Sequence, residues 1–216
     1  MPLDLPSQFP TGIDTHLQLN GKAGLIEAKT TMPNTAPNGV VIVCHPHPLH
    51  GGTMDNKVIY TLTRAFHQVD KCTVRFNFRG VGKSAGTFDD ANGETDDLLE
   101  IIHWVKTVCP HLPLWLAGFS FGSFVAARAA ATIQPERLFS IAPAVTNADF
   151  LSLPAIHCPW YIIQGDSDEI VPPEQVYDVV KKLQGNIQLN VIKDCSHFFH
   201  GKLIELRELI VQLSQS

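Results

Sequence analysis

The sequence predicts an α/β domain, a mostly parallel eight-stranded sheet with helices on both faces, in one unit spanning residues 1–216. Three observations carry this. Short apolar runs of strand length alternate with stretches whose apolar residues recur every three or four positions. Several of the runs are apolar throughout, as strands covered on both faces must be. No repeat, low-complexity segment or linker-like stretch divides the chain. Strand and helix in steady alternation build a parallel sheet sandwiched by helices.

The elements follow in order. "THLQLN" and "GLIEAKT" alternate in polarity and suit an antiparallel opening hairpin. "GVVIVC" (39–44) is a continuous apolar strand, followed by the helix "NKVIYTLTRAFHQ" and the strand "CTVRFNF". In "ETDDLLEIIHWVKTV", Leu98, Ile101, Ile102 and Val105 recur at three and four residues and give a helix one apolar face. Next come the strand "LPLWLAGF", the helix "GSFVAARAAATI" and the strands "RLFSIA" and "PWYIIQG". The chain ends with "PEQVYDVVKKLQ" as helix, "IQLNVI" as a last buried strand and "GKLIELRELIVQLS" as helix. Ligands bind at the loops beyond the carboxyl ends of such strands.

Composition removes several classes of function. With 44% apolar and 17% charged residues, the chain can bury a proper core. A net charge of −5 argues against a phosphate-binding surface, so no nucleic acid is expected as partner. No apolar run is long enough to span a membrane, and "MPLDLPSQFPTG" lacks the basic and apolar regions of a secretory leader. Five cysteines without a C-x-x-C spacing fit reduced thiols in a cytoplasm.

Three motifs compete for the chemistry. "CHPHPLHGG" (44–52) places His45, His47 and His50 directly after a strand, and imidazole is the commonest metal ligand. The frame resembles the H-x-H-x-D-H zinc motif of the metallo-β-lactamase fold, but Leu49 stands where that pattern has Asp. No second ligand cluster follows at matching spacing. "GVGKS" (80–84) ends like a P-loop, yet Asn77 occupies the first glycine position. As a dinucleotide loop it fails too, because the turn-rich "GTFDDANGE" follows where a helix is required.

The third motif has the right context. "GFSFG" (118–122) is G-x-S-x-G between a strand and a helix, with Ser120 at its centre. A serine so placed sits on a strained turn, and flanking glycines let neighbouring backbone approach. It needs a base, itself oriented by a carboxylate, and in this fold class the acid precedes the histidine in the chain. "YIIQGDSDEIVPPE" offers Asp166, Asp168 and Glu169, and "VIKDCSHFFHGK" offers His197, with His200 as competitor. Each group lies just past a strand end.

These stretches resemble the α/β-hydrolase superfamily, in particular a small lidless bacterial group related to dienelactone hydrolase. The resemblance runs from "VVIVCHPHPLHGGTMDNKV" through "RFNFRGVGKSAGTFD", "GFSFGS" and "GDSDEIVP" to "SHFFHGKL". It implies the α/β-hydrolase fold. The family's G-x-x-D-x-x-V-P pattern falls on Gly165, Asp168, Val171 and Pro172, and its histidine on His197. Dienelactone hydrolase has a cysteine nucleophile where this chain has Ser120, so its substrate does not carry over. The oxyanion donors implied are the backbone N–H groups of Phe121 and of His47, since Pro46 and Pro48 have none to give. The resemblance makes "RFNFRGVGKSAG" (75–86) the loop after the fourth strand, near the active-site rim. Lids in this superfamily sit between the sixth and seventh strands, where residues 143–159 suffice for one short helix. No cap domain and an open site are expected.

The reading is a serine hydrolase of carboxylic esters with small or short acyl groups. It works through Ser120, His197 and Asp168, with a small-molecule ester as partner and no cofactor or membrane. The alternatives are a thioesterase or peptidase on the same residues, a zinc metallohydrolase using His45, His47 and His50, or a non-catalytic interaction domain. Oligomeric state is not legible.

Overall fold

A computed structural model describes residues 8–215. Residues 1–7, on which most of the no-leader reading rests, lie outside the described residues. The eight strands are β1 (Thr15–Gly21), β2 (Gly24–Thr31), β3 (Val40–Cys44), β4 (Cys72–Phe76), β5 (Leu114–Phe119), β6 (Arg137–Ile141), β7 (Trp160–Gly165) and β8 (Ile187–Ile192). They form one sheet in the order β1-β2-β4-β3-β5-β6-β7-β8. β1 and β2 form the expected antiparallel hairpin, β2 runs antiparallel to β4, and every other pair is parallel.

Five helices cover the two faces: α1 (Lys57–His67), α2 (Asn92–Val108), α3 (Phe121–Ile133), α4 (Pro173–Val180) and α5 (Leu203–Gln215). The central strands are apolar throughout because alternate residues serve opposite cores. Val40, Ile42 and Cys44 of β3 join a core with Leu98 and Ile101 of α2, Val125 of α3 and Val176 of α4. Val41 and Val43 join the other, with Leu62 and Phe66 of α1 and Leu206 and Ile210 of α5. Each such side chain, fully removed from water, contributes about 1.5–3 kcal/mol before entropy is counted.

Three expectations need correction. β8 is not buried on both faces. It is the sheet's edge, only Ile192 is buried, and one flank has no neighbouring strand to cover it. α4 stops at Val180 rather than at residue 184, because the amides of Lys182 and Leu183 both turn back to the Val179 carbonyl. The third is the stretch 75–86, no residue of which lines the cavity beside Ser120.

Between β6 and β7 the chain forms only a single 3-10 turn, Phe150–Ser152, capped by Asp149, whose Oδ1 accepts from the Leu151 and Ser152 amides at 3.1 and 3.2 Å. No cap domain is built there. No helix among the described residues is long and apolar enough to cross a membrane.

The topology locates the site. After β3 the chain crosses to one side to make β4, then returns past β3 to make β5. Loops leaving β3 and β5 therefore diverge in opposite directions, and the crevice between them is where open α/β sheets hold ligands. The loop after β3 carries the three histidines, and the turn after β5 carries Ser120.

Candidate active site

Ser120 occupies the single residue between β5 and α3, with φ 53° and ψ −119°. A non-glycine residue here costs on the order of 1–3 kcal/mol and persists only where its surroundings enforce it. Two of those surroundings are glycines. A Cβ on Gly118 would lie 2.2 Å from the Gly122 carbonyl oxygen, and one on Gly122 only 2.4 Å from the carbonyl oxygens of Cys44 and His45. The G-x-S-x-G spacing thus presses the start of α3 against both its own strand and the end of β3. The Ser120 amide completes the anchor, donating to the Ile141 carbonyl at 2.8 Å.

The loops after β7 and β8 bring the two partners to it. His197 Nε2 lies 3.1 Å from Ser120 Oγ, and His197 Nδ1 lies 2.8 Å from Asp168 Oδ2. His197 and Asp168 are 2% and 5% exposed, so neither bond competes with bulk water. Asp168 Oδ1 accepts from the amides of Ile170 and Val171 at 2.9 and 2.7 Å, and Gln164 Nε2 donates to Oδ2 at 2.9 Å. Burial works against the charge of Asp168, but the bonds from His197, Val171 and Ile170 outweigh it and hold the carboxyl below its usual range. An ionised Asp168 fixes the proton on Nδ1 and leaves Nε2 bare to accept from the serine hydroxyl. The ring is flanked by Phe119 and Phe198, each with centroid 5.1 Å away.

The competing residues are elsewhere. Asp166 is exposed and ties its turn, accepting from Ser167 Oγ at 3.0 Å and from the Cys195 amide at 3.4 Å. Glu169 accepts from the backbone of His197 at 3.3 Å, and His200 is exposed at the entry to α5.

The histidine loop is built around peptide groups. His45 is fully buried; its Nε2 accepts from the Phe78 amide at 3.0 Å, so Nδ1 carries the proton and donates to the Pro46 carbonyl at 2.6 Å. Burial pushes its pKa down to about 4, so the ring is neutral. The Pro46 carbonyl and the His47 amide belong to one trans peptide and point in opposite directions. Holding the carbonyl therefore turns the His47 N–H away from His45. The loop closes when the amides of His50 and Gly52 donate to the His47 carbonyl at 3.1 and 3.0 Å. Gly52 is required, since a Cβ there would sit 2.1 Å from the Pro46 oxygen. The His47 amide has no partner among the described residues, and Phe121, first residue of α3, has no acceptor in its own helix.

The three imidazoles do not converge. Both nitrogens of His45 are engaged by backbone, while His47 stacks on His50 at 4.5 Å and accepts from the Leu49 amide through Nδ1 at 3.2 Å. Among the described residues no three His, Cys, Asp or Glu side chains gather in a metal-holding arrangement.

Beside Ser120 opens a cavity of about 320 Å³, lined among others by His47, Phe88, Asp90, Phe121, Phe124 and Ile170. Phe88, Asp90 and Ala91 line it, and no residue of the stretch 75–86 expected at the rim does. That loop folds back on β2, where the Ala85 amide donates to the Leu25 carbonyl at 2.8 Å and Ser84 Oγ accepts from the Glu27 amide at 2.9 Å. Sequence reasoning missed Phe88 and Asp90, taken as plain turn, and the bonding roles of His45 and Gln164. Gln164 left a signal, a lone polar residue inside an apolar strand.

Comparison with known proteins completes the picture. Residues 38–207 match the family model of the alpha/beta hydrolase domain. A crystal structure from Xanthomonas campestris, described as an α/β serine hydrolase without lid, is 44% identical, covers 94% of each chain and has a TM-score of 0.89. An α/β serine hydrolase homologue from Coxiella burnetii is also 44% identical, over 94% of this chain and 99% of its own, with a TM-score of 0.91. A dienelactone hydrolase from Anabaena variabilis shares the fold at 19% identity and a TM-score of 0.75, over 93% of this chain and 97% of its own. The chain belongs to the alpha/beta hydrolase family and, within it, to a small group that carries no lid.

Proposed function

We propose that this protein is a serine hydrolase that cleaves carboxylic esters of small or short-acyl substrates. The observation that carries the reading is the pair of hydrogen bonds linking Asp168 to His197 and His197 to Ser120, at 2.8 and 3.1 Å. Ser120 Oγ attacks the ester carbonyl carbon while His197 Nε2 takes its proton. The amides of His47 and Phe121 receive the oxyanion of the tetrahedral intermediate. Its collapse breaks the bond to the alcohol, which leaves with the proton held on His197. Water then repeats the sequence on the acyl-enzyme, giving its proton to His197 and releasing the acid and free Ser120. Asp168 keeps the imidazole oriented and stabilises its charged form.

An amide nitrogen or a thiolate would leave by the same single proton transfer from His197, so the preference for an ester is read from the small open cavity and is tested by matched ester, thioester and amide substrates. The cavity of about 320 Å³ without a lid suits short acyl groups. Five unpaired cysteines fit a reducing compartment. The test is labelling with a fluorophosphonate probe and turnover of nitrophenyl esters of rising acyl length. Ser120→Ala should fold and lose both labelling and turnover. Efficiency should fall beyond about eight carbons, since no tunnel recovers the ~0.8 kcal/mol of each further methylene. Labelling of Ser120→Ala at the wild-type rate would remove the proposal, and a steady rise to sixteen carbons would remove the chain-length preference.

A further inference from the structure

The cavity beside Ser120 has an uneven charge. Its titratable lining residues are His47, His50 and Asp90, and neither lysine nor arginine lines it. Burial, and then the neighbouring His50, hold the His47 ring below its usual pKa, while the charge of Asp90 acts on the ring in the opposite direction and is outweighed. Asp90 is exposed at the cavity and makes no hydrogen bond or ion pair among the described residues. Two arginines stand nearby, and one of them, Arg128, sits over the ring of Phe124, itself a lining residue. Arg79 binds Asp97 through two bonds of 2.8 and 2.9 Å and lies 3.9 Å from Asp89. Arg128 donates to Asn92 at 2.9 Å, its guanidinium 5.8 Å from the Phe124 ring.

The backbone that presents Asp90 is held with some force. Asp90 and Ala91 have φ of 46° and 69°, two successive left-handed residues without a glycine. Around them the Asn92 amide donates to the Asp89 carbonyl at 2.8 Å, and the Gly93 amide to Asp89 Oδ2 at 3.0 Å. Buried Glu94 accepts from the Asp89 amide at 3.0 Å. Asp tolerates the left-handed region, but so does Asn, so the backbone alone does not ask for a carboxylate. Rings form part of the remaining wall, beside aliphatic Ile170 and Val171 and the uncharged polar residues Thr146 and Asn147. His47 lies 4.9 Å from Phe88 and 5.0 Å from Phe121, and Phe88 lies 5.7 Å from Phe121. Aromatic faces around an unpaired carboxylate attract alkylammonium groups and offer nothing to an anion.

We infer that Asp90, with the rings of Phe88 and Phe121, makes this pocket select esters that carry a positive charge and reject those that carry a negative one. The inference rests on reading Ser120 as the nucleophile. Asp90 is a specificity residue, acting on the part of the substrate remote from the reacting carbonyl.

Three butyrate esters of similar size form the test: choline butyrate, 3,3-dimethylbutyl butyrate, which is its uncharged isostere, and 3-sulfopropyl butyrate. For the wild type, kcat/KM should fall from cation to neutral to anion by about tenfold per step, the scale of one charge acting across a few ångström of partly wet pocket. Asp90→Asn keeps the backbone preference and removes the charge, and should bring the three within about threefold of one another. The change should lie mainly in KM, because the contact is made before the transition state as well as in it. Equal wild-type efficiencies, or an order that survives in Asp90→Asn, would overturn the inference while leaving the hydrolase intact. No turnover of any ester together with no labelling of Ser120 would instead overturn the hydrolase reading, and this inference with it.

Discussion

Two buried histidines stand on either side of Ser120, and the chain uses them in opposite ways. His45 is 0% exposed and His197 2%, so burial does not separate them. Their partners do. Both nitrogens of His45 bond to backbone peptide groups, which cannot change protonation state. His197 has a carboxylate on one side and a hydroxyl on the other, one a permanent acceptor and one able to lose a proton. A protonated His45 would forfeit its bond from Phe78, whereas a protonated His197 still faces Asp168. One ring is held as a strut and the other, on the proposed reading, carries the proton; the difference lies in what each nitrogen meets.

The largest effect should come from the carrier. His197→Ala should lower kcat by at least about 10⁴, the scale on which removing a base costs a serine enzyme its nucleophile. Asp168→Asn leaves the ring in place but removes the charge that selects its tautomer, and should cost about 10³–10⁴. Steady-state turnover checks both, with circular dichroism to establish the fold. If Asp166→Asn were instead the damaging change, the acid would be misassigned. Asp166 and His200 are exposed, and their substitution should stay within about tenfold.

How much of this contrast the sequence carries depends on chain distance. Ser120, Asp168 and His197 were legible because each follows an apolar run by one to a few residues, and their order matches the family. Asp168 was separable from Asp166 by the G-x-x-D-x-x-V-P pattern, whose spacing places the carboxylate where Ile170 and Val171 amides can cap it. The strut was not legible. Its acceptor bond joins residues 33 positions apart and exists only because β3 and β4 pair in parallel register, Val40 opposite Cys72. His45 alone looked like one ligand among three. The exposure of β8 was legible but misread, since Gln188 and Asn190 alternate with apolar residues there, the pattern of a half-buried strand. Asp90 was hidden because a turn-forming composition accounts for the segment without any pocket.

The strut should show itself by a smaller and different loss. His45→Ala leaves the buried Phe78 amide without an acceptor and frees the Pro46–His47 peptide, so kcat should fall by about 10² with KM little changed, as when one oxyanion donor is lost. Stability should fall by about 2–4 kcal/mol from the cavity and the unpaired amide. The pH dependence separates the two rings further. With its folded pKa lowered to about 4 from 6.5, His45 binds its proton less readily in the folded than in the unfolded chain. Its contribution to stability is therefore complete above pH 6.5, is lost as the pH falls towards 4, and amounts to about 3 kcal/mol. The lowered carboxyl of Asp168 acts in a lower window: its contribution is present above its unfolded value of 3.8 and lost as pH falls through its folded value. Denaturant midpoints between pH 7 and 4 should thus fall less steeply in His45→Ala than in the wild type. Parallel curves would mean that His45 is not the group responsible.

The smallest effect is the one that would break the comparison altogether. If His45 were a ligand and not a strut, chelation should matter, because a metal would have to displace one of its two backbone bonds and be held by His47 or His50 as well. The geometry opposes this at each ring. His45 Nε2 already spends its lone pair on Phe78, and Nδ1 carries the proton given to Pro46. His47 Nδ1 accepts from Leu49, and its ring lies stacked at 23° to His50 instead of turned edge-on with it towards a common point. His50 stacks on His47 and lines the cavity, and no three His, Cys, Asp or Glu side chains among the described residues gather as metal ligands. Treatment with EDTA should therefore leave ester turnover unchanged, and His50→Ala should alter it by less than about threefold, a loss of ring contact without loss of a donor. Turnover that disappears on chelation and returns with zinc would make His45 a ligand in the working enzyme, and would require the Phe78 bond to open.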